Sequence, residues 1–127
     1  MDDVLTAALT PVLRDLRSTG APLPIVEDRE WTDDPASPSA LRSIADGGAM
    51  GVRVTRSAPA AERVAMAADQ VQEWAIEELW PRGRNNWPPC PRHPTSHPMR
   101  ATAGRAVAGW RCPADDVVVA AIGELTS

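Results

Sequence analysis

Apolar residues recur at helical spacing in two stretches. In residues 3–19 the positions Leu5, Leu9, Val12, Leu13 and Leu16 mark one face, Arg14, Asp15 and Arg17 mark the polar side, and Gly20 stands where a left-handed residue closes a helix. Asp2 or Asp3 is placed to cap it. Pro11 removes a backbone donor and crowds the carbonyl four residues back, so the helix either kinks there or begins near Thr10. The second stretch, residues 59–80, follows Ser57 and Ala58, with Pro59 tolerated in the first turn and Glu62 favouring the helix N-terminus. Val64, Ala67, Ala68, Val71, Trp74, Ala75 and Leu79 make one stripe, and Asp69, Gln72, Glu73 and Glu77 face outward. Ile76 and Trp80 fall off the stripe, and Pro81 with Gly83 ends the helix.

Elsewhere the period is two or absent. Met50, Val52 and Val54 alternate with Gly51, Arg53 and Thr55 as a half-buried strand does, and residues 23–31, ending at Trp31, are expected to pair with it. Residues 32–39 have loop composition, and residues 38–44 are expected to make a turn or two of helix before Gly47 and Gly48. Six of the eighteen residues from 81 to 98 are proline, which predicts an irregular loop. Residues 99–102, 105–111 and 117–122 then read as three short strands turned at Ala103-Gly104 and Pro113-Ala114-Asp115-Asp116. The pattern predicts an α+β fold: two main helices on a small antiparallel sheet, with residues 1–80 as the core region and residues 81–127 as a separate segment.

Composition sharpens this picture. Phe and Tyr are absent from the 127 residues, so core volume must come from aliphatic side chains and the five tryptophans, each needing a partner for its indole N–H when buried. Residues 1–80 hold fourteen acids and seven Arg, a net −7, whereas residues 81–127 hold three acids and six Arg, a net +3. Non-specific nucleic-acid binding is therefore disfavoured overall, with a local contact left open at Arg82, Arg84, Arg92, Arg100, Arg105 and Arg111. The acidic start of the chain is unlike a signal peptide, and the longest apolar run, residues 117–122, is too short to span a bilayer. Both features point to a cytoplasmic protein. In that reducing compartment its two cysteines are ligands or free thiols rather than a disulfide.

Both cysteines and both histidines lie in the last third of the chain. Cys90 and His93 form a C-x2-H pair, His97 follows after three residues, and Cys112 returns after fourteen more. Two thiolates and two imidazoles suit one tetrahedral zinc per chain. Cys90-Pro91-Arg92-His93 resembles one knuckle of a zinc ribbon, and Trp110-Arg111-Cys112-Pro113-Ala114-Asp115 resembles the strand and turn that deliver the other. Asp115 stands where that family has a second Cys, so either His97 or Asp115 completes the site. His97 is the preferred donor, since Cys and His outrank carboxylate in closed structural sites. The pattern C-P-x-H-P-x-x-H-P-M, then W-x-C-P, then V-V-x-x-I-G-x-L is also similar to a family of short actinobacterial proteins, a resemblance that implies a zinc-binding tail and nothing catalytic.

No nucleophile motif, phosphate loop or carboxylate pair accompanies these ligands. The leading expectation is a non-enzymatic zinc protein that offers a surface to another protein, with Trp80, Trp87 and Trp110 as candidate anchors. A nucleic-acid module built on the six Arg comes second. A zinc hydrolase with Asp115 or Glu124 as base would need an open coordination position, and a redox sensor would use Cys90 and Cys112. Ile76 and Trp80 on an acidic helix also leave room for a homodimer.

Overall fold

The computed structural model describes residues 3–28, 39–43 and 47–126. Residues 32–38 of the expected loop and the Trp31 end of the first expected strand lie outside them. The fold is α+β, with two helices and small antiparallel sheets.

Helix α1 runs unbroken over Asp3–Ser18 and buries Leu5, Ala8, Leu9, Val12 and Leu16. Pro11 therefore lies inside the helix and does not start it. The carbonyl deprived of its donor is that of Ala7, on the exposed face where water can satisfy it, and buried apolar residues on both sides hold the helix together. Past Ser18 the Ala21 amide reaches back to the Leu16 carbonyl at 3.0 Å and the Gly20 amide to Arg17 at 3.2 Å. This closure needs the left-handed φ of 71° that Gly20 adopts. Helix α2, Ala60–Leu79, carries the expected stripe and packs against α1. A short 3-10 turn, Trp80–Arg82, follows, and the Arg84 amide closes on the Leu79 carbonyl at 3.1 Å.

Strands β1 (Ile25–Asp28), β2 (Ser39–Arg42) and β3 (Ala49–Val52) form an antiparallel sheet with β2 in the middle. The first and last strands therefore do not pair with each other, as the pattern suggested, and residues 39–42 are strand rather than helix. Leu41 explains the difference. It stands between Val26 and Met50 across the two ladders and is fully buried, so tertiary pairing overrides a local preference resting on few residues. Beyond β3, the Gln70 side chain accepts from the Arg53 amide at 3.0 Å and donates to the Arg53 carbonyl at 2.6 Å, which ties this end of the sheet to α2.

The proline-rich segment is irregular over residues 84–88, as expected, but not beyond. Strands β4 (Pro89–Cys90) and β5 (His93–Pro98) make a two-stranded ribbon, with a register shift between Pro89 and Cys90. A ribbon consists only of edges, and an edge accommodates residues without an N–H. Strands β6 (Arg100–Ala103), β7 (Ala108–Cys112) and β8 (Val117–Ala121) then form a second three-stranded antiparallel sheet, with α2 packed against β6 and β7.

One buried cluster joins both parts of the chain. Leu9, Val12, Leu16, Val71 and Trp74 of the helices share it with Trp87, Cys90, Met99, Trp110, Cys112 and Ile122. Trp87 and Trp110 meet edge to face at 5.5 Å. Two polar residues expected at the surface lie inside. Asp15 is fully buried, and Gln72 is buried with its side-chain amide donating to the Met99 carbonyl and, at 3.1 Å, to that of Trp87. Each is surrounded by main-chain or indole groups that need a partner, which is why a polar side chain is tolerated there. Among the described residues no helix is long and apolar enough to cross a membrane.

Candidate metal centre

Two turns deliver the chemistry. The first is the link between β4 and β5, where Pro91 and Arg92 separate Cys90 from His93, a residue pair that faces across the ribbon. The second follows β7: Cys112 ends the strand, its carbonyl accepts from the Asp116 amide at 2.8 Å, and its sulfur accepts from the Asp115 amide at 3.4 Å. His97 comes from further along β5, on the same side as His93 by the alternation of a strand. Their rings lie 5.1 Å apart between centroids.

One donor atom from each of Cys90, His93, His97 and Cys112 lies within 4.8 Å of every other. His93 Nδ1 is 3.2 Å from His97 Nε2, 3.6 Å from Cys112 Sγ and 3.9 Å from Cys90 Sγ, and His97 Nε2 is 4.0 Å from Cys112 Sγ. Metal–sulfur and metal–nitrogen bonds of about 2.3 and 2.0 Å, set at tetrahedral angles, would separate the donors by about 3.3–3.8 Å. The four are close enough to hold a metal ion. Both cysteines are buried and both histidines are half-buried.

The groups around the donors suit that purpose. His97 Nδ1 is 3.0 Å from the Pro98 carbonyl oxygen; donating its proton there leaves the lone pair of Nε2 facing the cluster. Asp115 stands beside the four, not among them. Its Oδ2 is 3.8 Å from His93 Nε2, the ring nitrogen outside the cluster, and accepts a hydrogen bond from Arg92 Nε at 2.6 Å. That bond from Arg92 holds the Asp115 carboxyl below the ordinary carboxylate range and raises the Arg92 guanidinium.

The tryptophans divide differently from expectation. Trp87 is 3% exposed and Trp110 0%, so neither is an anchor for a partner; both are core residues, with indole N–H groups donating to Thr19 Oγ1 at 3.0 Å and Asp15 Oδ2 at 2.8 Å. Trp80 is 67% exposed, and Ile76 is half-buried. Two of the six C-terminal arginines are engaged by acids, Arg92 by Asp115 and Arg111 by Asp116 at 2.6 Å. The role of Arg92 beside the cluster was not legible from spacing, because its partner is 23 residues away and in another turn. Glu124 belongs to the segment after β8, whose Gly123 and Leu125 amides are bound to Asp15. Set against known proteins, the chain matches no family model, no curated protein and no solved structure.

Proposed function

We propose that the protein is a non-enzymatic zinc protein in which one structural zinc per chain joins the β4–β5 ribbon to the end of β7, and that it serves as an interaction or accessory module for another protein. The observation that carries this reading is the convergence of two thiols and two imidazoles from separate hairpins to within 4.8 Å. Two sulfurs and two nitrogens in tetrahedral proportion favour zinc over the harder magnesium and calcium. Four protein donors leave no position for a reacting water, which argues for a structural ion over a hydrolytic one. Use of Cys90 and Cys112 as metal ligands, and not as a disulfide, would accord with a reducing compartment such as the cytoplasm.

For the partner surface the support is narrower. Trp80 presents an exposed indole next to the exposed Arg82 and Arg84, the residue types that dominate protein–protein hot spots. Nucleic acid is the weaker reading, since Arg92 and Arg111 are already paired with acids and the first eighty residues carry a net −7.

Elemental analysis of protein purified without a histidine tag or chelator tests the metal. About one zinc per chain is expected, as a closed four-ligand site requires, and Cys90→Ser or Cys112→Ser should each abolish it. Protein that carries no zinc and takes up none would sink the reading. The interaction is tested by comparing wild type with Trp80→Ala for capture of partners at fixed concentration, with sedimentation reporting self-association. A set of captured proteins that Trp80→Ala leaves unchanged would remove Trp80 from the account.

A further inference from the structure

The turn after β7 touches the candidate centre twice through one residue. The Asp115 amide donates to the Cys112 sulfur, and the Asp115 carboxylate approaches His93 Nε2 at 3.8 Å. Arg92, which sits between Cys90 and His93 in the opposite turn, donates Nε to that same carboxylate oxygen at 2.6 Å. Arg92 and Asp115 thus bridge the two turns that bear the ligands, although neither belongs to the four donors.

Resting on the metal reading above, we infer that Asp115 is a positioning residue that orients the His93 imidazole and holds its proton on Nε2, so that Nδ1 is presented to the metal, with Arg92 fixing Asp115 in place. A neutral imidazole has one proton and one lone pair. His93 Nδ1 lies among the other donor atoms, where the lone pair is needed, so the proton belongs on Nε2, the nitrogen that faces Asp115. An acceptor behind a ligating histidine selects this tautomer and makes the ligating nitrogen more basic. His97 has its acceptor in the Pro98 carbonyl at 3.0 Å, and Asp115 gives His93 the equivalent group from a side chain. At 3.8 Å the contact is longer than a hydrogen bond, but shortening it to one needs roughly 1 Å of movement by a partly exposed side chain.

The experiment measures zinc affinity by competition with a chromophoric chelator for wild type, Asp115→Ala, Asp115→Asn, Arg92→Gln and the Asp115→Ala/Arg92→Gln double variant. All should still bind one zinc per chain at saturation. Asp115→Ala should weaken affinity about tenfold or more, in the range found for such supporting partners. Asp115→Asn, which keeps an acceptor, should recover part of the loss, and the double variant should be no weaker than Asp115→Ala alone. Imidazole nitrogen–proton NMR of the zinc-loaded wild type should show His93 protonated at Nε2, with that proton exchanging faster in Asp115→Ala. Affinity of Asp115→Ala within twofold of wild type, or a His93 protonated at Nδ1, would overturn the inference. Additive losses in the double variant would remove the role given to Arg92. Wild type that takes up no zinc would end the metal reading and this inference together, whereas tight wild-type binding that Asp115→Ala leaves intact would end the inference alone.

Discussion

The carboxylate of Asp15 accepts the indole N–H of Trp110 at 2.8 Å with both side chains out of reach of water. The same group accepts the Gly123 amide at 2.7 Å and the Leu125 amide at 2.9 Å, so one side chain of α1 anchors β7 and the segment that follows β8. Thr19, at the end of α1, does the same for Trp87, and Gln72 of α2 secures the carbonyls on either side of the β4–β5 ribbon. The segments that flank the ligand-bearing turns are therefore held by the helices through polar contacts as well as through the core.

Asp15→Ala should be among the costliest single substitutions in the chain. It leaves an indole N–H and two main-chain amides without their acceptor, at about 1–3 kcal/mol for each buried group left unpaired. A fall of about 3 kcal/mol or more is expected from urea unfolding, read as a lower midpoint at similar slope. A loss under about 1 kcal/mol would mean that water or a rearranged C-terminal segment takes over these bonds.

Gly123→Ala should destabilise the same junction from the other side. Gly123 has a φ of 104°, and an added Cβ would meet the Pro11 Cβ at 2.9 Å, so both conformation and space oppose the methyl group. A cost of about 1–3 kcal/mol is expected, from the strained backbone and the displaced helix. Unchanged thermal stability would show that the segment after β8 can move away from α1 freely.

Pro11→Ala should act in the opposite direction. It restores a donor to the Ala7 carbonyl and relieves crowding in an otherwise regular helix, a change of up to about 3 kcal/mol in a helix interior. The gain is reduced because proline also restricts the unfolded chain, so a net rise of about 1–2 kcal/mol is expected. A lower unfolding midpoint would mean that the Pro11 ring contributes packing of comparable size.

Loss of the fourth donor should separate His97 from Asp115. His97→Ala removes a nitrogen lying 3.2 Å from His93 Nδ1 and should abolish tight zinc binding, whereas Asp115→Ala should keep one equivalent at reduced affinity. The reverse result, with zinc lost on Asp115→Ala and retained on His97→Ala, would place the carboxylate in the site.

Chelation of the zinc-loaded protein should loosen residues 89–98 before the helices. The ribbon contributes Pro89 through Pro98 with few main-chain bonds of its own, while α1 and α2 pack on each other along their buried faces. Amide hydrogen exchange should therefore rise in β4 and β5 with α2 still protected. Exchange that rises equally in α2 would show that the metal supports the whole core, of which Cys90 and Cys112 are members.

How much could be read from the chain depends on the range of the interaction concerned. The stripe from Val64 to Leu79, the leucines of α1 and the three C-terminal strands are local patterns, repeated often enough for their period to show without any tertiary partner. The metal donors were legible for a different reason, because only four Cys and His residues exist and their types define the chemistry before their positions are known. Asp15 and Gln72 look like surface residues in the sequence because a polar side chain is buried only when distant donors or acceptors meet it, and theirs arrive from as far as Trp110 and Leu125. β2 leaves no strand pattern in the sequence because Leu41 has no apolar neighbours in register along the chain; its neighbours, Val26 and Met50, lie across the sheet. The proline-rich ribbon and the burial of Trp87 and Trp110 likewise depend on what the helices offer them. Periodicity and donor type belong to the chain itself, whereas burial, register and the place of Asp115 beside the four donors arise from long-range packing that no window of residues contains.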